Sequence, residues 1–167
     1  MISPIMRALH IGFWWLATRL YPTQVVKGLR LVVVTALPPD AIAAIQATLG
    51  GAMDDIAHAQ GGFGELVGSH LRLVAVLGDR HSYASPAVRA YISSFKGHER
   101  TSARYLACQL VWAATFVRLS RDARAFGTGT GNATIRRAAY DSQILYVSQF
   151  DDGPEWVRYL EANTPEM

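Results

Sequence analysis

Residues 91 to 113 read Tyr-Ile-Ser-Ser-Phe-Lys-Gly-His-Glu-Arg-Thr-Ser-Ala-Arg-Tyr-Leu-Ala-Cys-Gln-Leu-Val-Trp-Ala. This is a short apolar strand pattern that turns at Gly97 into a long amphipathic helix. A helix entered in this way leaves its first backbone N–H groups without intrahelical partners, at the positive end of its dipole, and so offers an anion site. His98, Glu99 and Arg100 add an imidazole, a carboxylate and a guanidinium at the same mouth. Anion binding, proton transfer and charge stabilisation could then be served within one turn. A glutamate in a first helical turn is also what the dipole alone favours, so Glu99 reads equally well as a cap of its own helix.

The surrounding chain reads as α/β. Leu29 to Leu37 is a β-rich run ended by Pro38-Pro39, and Asp40 opens a helix whose Ile42, Ile45 and Leu49 keep helical spacing until Gly50-Gly51 stops it. Ala52 to Gln60 reads as a second short helix, Gly61 to Gly64 as a loop and Leu71 to Leu77 as a strand. Gly78 to Pro86 is a polar connection, and Arg89 to Phe95 is the last strand. The helix that opens after Gly97 is expected to run to about Leu119. A Gly127–Gly131 turn follows, then a helix from Asn132 to about Gln149 and a final helix opening at Gly153-Pro154.

At 167 residues the chain is long enough for one domain with a substantial core. Half the residues are hydrophobic and 17% are charged, which leaves apolar surface for a partner or for a second copy in a homodimer. The single cysteine, Cys108, excludes an intramolecular disulfide framework, and no Cys/His pair has zinc-ligand spacing. These features point to the reducing cytoplasm.

The formal charge is only +3, but fourteen of the sixteen cationic residues are arginine, the side chain suited to bidentate phosphate contact. Arg118, Arg121, Arg124, Arg136 and Arg137 fall close together with Asp122 as the only acid among them. That stretch is a candidate nucleic-acid face, against the plainer reading of a solvated helix end. Arg136 and Arg137 could alternatively face a nucleotide at the Gly97 junction and supply charge to a phosphoryl-transfer transition state.

Ile5 to Leu20 holds Phe13, Trp14 and Trp15 but is interrupted by Arg7, His10 and Arg19, and is too short to span a bilayer. It reads as an amphipathic helix packing its aromatic side on the domain, with a peripheral anchor at the inner membrane or on a partner as the alternative. Two further constellations are weaker. Asp79, Arg80, His81 and Tyr83 could set a carboxylate and an imidazole across from the Gly97 junction to hold a hydrated divalent ion, or form a surface turn. Gly127-Thr-Gly-Thr-Gly131 lacks the Lys-Ser/Thr and the preceding strand of a phosphate loop and reads as a hinge.

The Gly97-His98-Glu99-Arg100 tetrad, followed by Ala103, Ala107 and Leu110, resembles the GxxR box of the ParB/sulfiredoxin superfamily. The resemblance covers roughly residues 30 to 118 and implies a compact core with a small sheet, flanked by an N-terminal helical segment (1–29) and a C-terminal helical extension (119–167). Sulfiredoxins carry a reactive cysteine in the box where this chain has His98. Partition-type members continue into further domains that the remaining chain is too short to hold. The layout is most similar to the compact fertility-inhibition group of conjugative plasmids.

That resemblance implies ATPase and DNase activity against the transferred DNA of a rival element. His98, Glu99 and Arg100 would then be catalytic. Gly97, Arg100, Thr101 and Arg136 would bind ATP, with Mg2+ as the candidate metal, and Arg118, Arg121, Arg124 and Arg137 would contact DNA. Two other functions fit the residues themselves. One is a non-enzymatic inhibitor that docks its N-terminal helix on a type IV secretion or coupling protein; the other is a nucleic-acid-binding domain without catalysis.

Overall fold

The computed structural model describes residues 4–78, 82–125 and 132–163, the side chains at 123–125 and 132 excepted. Its centre is a mixed five-stranded sheet. A hairpin of β1 (Thr23–Val26) and β2 (Leu29–Val33) closes through Lys27 and Gly28, whose φ angles of 48° and 90° are those of a two-residue turn. β2 runs parallel to β3 (Leu73–Val76), which runs parallel to β5 (Ala90–Ser93). β4 (Tyr83–Ser85) closes the far edge antiparallel to β5, so the order is β1-β2-β3-β5-β4.

Side chains alternate across the sheet as a pleat requires. Val32, Leu73, Ala75, Ala90 and Ile92 face α1 (Pro4–Leu20), which docks through Trp14 and Ala17. Leu31, Val33, Val74, Val76 and Tyr91 face the main core. That core is completed by α2 (Pro39–His58), α3 (Phe63–His70) and α5 (Ala103–Ala125). α5 buries Leu106, Leu110, Val111 and Val117 completely because α6 (Asn132–Val147) lies along it and α7 (Gly153–Asn163) lies along α6. A helix covered on both sides must be apolar nearly all round, and α5 is so from Leu106 to Val117, where Gln109 and Thr115 are its polar residues, before its arginine-rich last turns.

The α/β expectation holds, and several boundaries move. α2 runs unbroken through Gly50-Gly51 instead of stopping there. A Cβ on Gly51 would meet the Ala103 Cβ at 3.1 Å, so this glycine serves close helix approach rather than termination. The stop comes after His58, and Gly61 and Gly62, both at positive φ, turn the chain into α3, which begins at Phe63 inside the expected Gly61–Gly64 loop and continues to His70. β1 went unread because Thr23, Gln24 and Val25 are all exposed and show no alternation. The connection after Gly78 contains β4. The box helix is two helices: one turn, α4 (His98–Thr101), then a break at Ser102 before α5. α5 also runs across residue 118, so the expected boundary between core and C-terminal extension falls inside one helix. Asp79, Arg80, His81 and the 127–131 glycine stretch lie outside the described residues.

Candidate functional site

The strand-to-helix junction lies at the C-terminal end of β5, where open α/β sheets place their ligands. Gly97 has φ 59° and ψ −132°, a conformation that a side chain would strain, and it turns the chain from the sheet into α4. Its carbonyl accepts from the Arg100 N–H at 3.1 Å and from the Thr101 hydroxyl at 3.2 Å, which closes the turn. With only one helical turn before Ser102, few peptide dipoles align behind this mouth, fewer than a long box helix would bring.

Glu99 points inward and is 6% exposed. Tyr91 and Ser93, two residues apart on one strand and therefore on one face, both reach it: the Tyr91 hydroxyl donates to Oε1 and the Ser93 hydroxyl to Oε2. Ser82 Oγ lies 2.8 Å from Oε1 and 2.9 Å from Ser93 Oγ, and Ser93 Oγ also accepts the Phe95 N–H at 3.1 Å. Burial, and then the Glu99 charge, push the Tyr91 phenol well above its ordinary range, so it remains a donor. Both carboxylate oxygens are thus occupied by hydroxyls. Glu99 ties α4 to β5 and to the connection before β4; it, Tyr91 and Ser93 are buried, while Ser82 stands at the exposed rim of the cluster.

His98 faces outward, as the junction reading requires, but among aromatic rings. Its centroid lies 5.1 Å from Tyr159, 5.7 Å from Tyr105 and 5.8 Å from Trp156. Edge-on packing of this kind fixes the imidazole plane. Arg100 is half-buried; its carbonyl accepts from the Thr48 hydroxyl at 2.8 Å, and among the described residues its guanidinium has no ion-pair or hydrogen-bond partner. Thr101 is exposed, with its hydroxyl committed to Gly97.

Beside the junction a polar network holds the helices in register. Arg104 pairs with Asp55 at 2.5 Å and with Asp152 at 3.2 Å, and lies 3.3 Å over the Phe150 ring, while the Tyr146 hydroxyl donates to Asp55 at 3.1 Å. Gln143 donates to the Cys108 carbonyl, while Tyr146, one turn later on α6, shares Asp55 with Arg104, one turn earlier on α5, so α6 runs antiparallel to α5. That register sets Arg136 opposite the middle of α5, roughly 18 Å from its start at 1.5 Å per residue. Arg136 and Arg137 are exposed there, and Arg137 pairs with Asp141 at 3.1 Å. The fold therefore brings Gly97, His98, Glu99, Arg100 and Thr101 together and leaves Arg136 away from them.

The arginine surface differs from the one the sequence suggested. Arg118 and Arg121 project from α5 beside His70 at the end of α3, and Arg89 joins them from the start of β5. Arg89 in turn feels Arg72 and Arg121, so four arginines from strands and helix share one field, with Asp122 the single acid acting on His70. Burial, then Arg118 and Arg89, hold His70 below its ordinary value. Arg89 also donates to the Ser69 and His70 carbonyls and so caps α3. Arg72 and Arg89 escaped the sequence reading because they are isolated along the chain and meet the others only through the parallel pairing of β3 with β5. Arg124 follows on α5, with its side chain outside the description.

Among the described residues no group of three or more His, Cys, Asp or Glu side chains is arranged to hold a metal ion. Set against known protein families, curated proteins and solved structures, the chain matches none of them.

Proposed function

We propose that this domain binds a nucleic-acid backbone, DNA in the first instance, across the surface formed by Arg72, Arg89, Arg118 and Arg121. One observation carries the reading: Arg89, Arg118 and Arg121 act together on His70 against one acid, Asp122, and Arg72 stands beside Arg89 across the β3–β5 pairing. Phosphate is the ligand such a field takes, since guanidinium forks match its oxygens and counterion release drives association. Neither aromatic stacking nor base-edge contact is needed, so the binding is sequence-tolerant.

A second reading, hydrolysis of ATP and of DNA at the Gly97 junction with Mg2+ as the candidate metal, is favoured by a separate observation. Arg100 follows an exposed imidazole and a glycine turn at positive φ in the chain, and among the described residues its guanidinium has no partner. In that reading Arg100 holds phosphate and His98 exchanges the proton, while Glu99 positions the turn. The resemblance to the ParB/sulfiredoxin superfamily, and to its fertility-inhibition group, suggests the setting: action on the transferred DNA of a rival conjugative element, or on its type IV secretion or coupling proteins.

Incubating purified protein with labelled single-stranded and duplex DNA, with and without magnesium and ATP, separates the readings. Salt-sensitive binding without products, weakened by Arg118→Ala with Arg121→Ala, supports the first. Cleavage or ATP turnover lost in Arg100→Ala supports the second. No binding to either DNA at low salt refutes the first.

A further inference from the structure

α1 is apolar on two sides. One side, with Trp14 and Ala17, docks on the sheet. On the other, Ile5, Leu9, Phe13, Leu16 and Leu20 follow one another at helical spacing and are 45% to 72% exposed. Eight of the eleven exposed large hydrophobic residues among the described ones lie on this helix. Yet no described helix is long and apolar enough to cross a membrane. Such a stripe on a protein surface calls for a covering partner.

Charge says which partner. None of the 39 residues before Asp40 is acidic, whereas Arg7, Arg19, Lys27 and Arg30 all fall among them. Arg19 sits 4.0 Å over the Trp15 ring on the flank of the stripe, an aromatic-cation pair of the kind that lies at a headgroup boundary. Between that flank and the sheet is a cavity of about 650 Å3 lined by Ile11, Trp14, Trp15 and Val88, with Arg30 and Arg72 in its wall. Trp14 keeps a buried Nε1–H with no acceptor among the described residues. Two copies of such a surface would set like charges against each other. An anionic bilayer supplies both the apolar phase and the negative charge.

We propose that α1 is an interfacial helix that lays its Ile5–Leu9–Phe13–Leu16–Leu20 stripe into the surface of an anionic phospholipid bilayer, with Arg19 and Arg30 holding headgroup phosphates. The inference is tested independently of the nucleic-acid reading: Arg72 borders both surfaces, but Leu9, Leu16 and Arg30, the residues replaced below, lie on the α1 side and outside the arginine surface.

The test is co-sedimentation of the full chain with phosphatidylcholine vesicles with and without phosphatidylglycerol. Wild type should pellet with the anionic vesicles, less so in high salt, and remain in solution with the neutral ones. Leu9→Glu with Leu16→Glu, both on the exposed side, should lower binding at least about tenfold with an unchanged circular dichroism spectrum. Arg30→Glu, exposed on β2, gives an independent reading and should weaken only the anionic binding. Wild type that stays in solution with anionic vesicles overturns the proposal, as does equal pelleting with neutral ones. A wild-type dimer by light scattering that the double substitution converts to monomer also overturns it, because a second copy then covers the stripe.

Discussion

Replacing Glu99 by alanine should cost more stability than any surface carboxylate can. The carboxylate is 6% exposed and accepts from Tyr91 and Ser93, with Ser82 at 2.8 Å. A hydrogen bond to a buried charge is worth about 1.5–3 kcal/mol net, and the donors left behind add a penalty of their own. The three losses do not simply add, because Ser82 and Ser93 stand 2.9 Å apart and can satisfy one another. The expected cost is therefore about 3–5 kcal/mol, a large share of the ~5–15 kcal/mol that holds a domain together. At about 2–4 °C per kcal/mol for a chain of this size, Tm should fall by roughly 10–15 °C in calorimetry. Glu99→Gln keeps the shape and one acceptor oxygen and should cost only about 1–2 kcal/mol. Combining Tyr91→Phe with Glu99→Ala should cost clearly less than the sum of the two single changes. A Glu99→Ala protein melting within about 2 °C of wild type would refute the idea that this carboxylate pins the Gly97 turn.

Three other outcomes follow from the same geometry. A Cβ at buried Gly153 would stand 2.4 Å from the Val147 carbonyl oxygen, so Gly153→Ala should lose about 2 kcal/mol or more in urea unfolding. Gly97→Ala, with open space for its methyl group but φ at 59° and ψ at −132°, should lose about 1–3 kcal/mol from backbone strain alone. His70 is held below 6.5 by burial and then by Arg118 and Arg89, so folding favours its neutral form. Its contribution to stability is full above that pH and declines as pH falls below it. Bound phosphate offsets the arginine field and raises the His70 pKa, so DNA affinity should increase as pH falls through 6.5, and His70→Ala should flatten that dependence in anisotropy titrations.

Periodicity exposed the elements whose apolar residues face one way: α1, β2, β3, β5 and the two C-terminal helices all lie within a few residues of their expected positions. It did not expose β1, whose residues are held by hairpin pairing rather than by burial. Nor could it distinguish a glycine that ends a helix from one that lets a helix approach another, as Gly51 does with Ala103. The junction at Gly97 was visible because the chain changes period there. The inward turn of Glu99 was not, since it depends on Tyr91, Ser93 and Ser82 converging in three dimensions. The arginine field was half legible. Arg118 and Arg121 share a helix, while Arg72 and Arg89 join them only through the register of neighbouring strands.

The salt dependence of DNA affinity tests the central claim most directly. Fluorescence anisotropy on a labelled duplex should give a slope of log K against log salt of about −3, at ~0.9 per phosphate neutralised by Arg72, Arg118 and Arg121, since Arg89 is committed to the Ser69 and His70 carbonyls. Arg118→Ala with Arg121→Ala should bring that slope to about −1 while leaving the melting temperature unchanged. Undetectable binding at low salt, or the same slope in wild type and variant, would contradict the assignment of this surface to a nucleic-acid backbone.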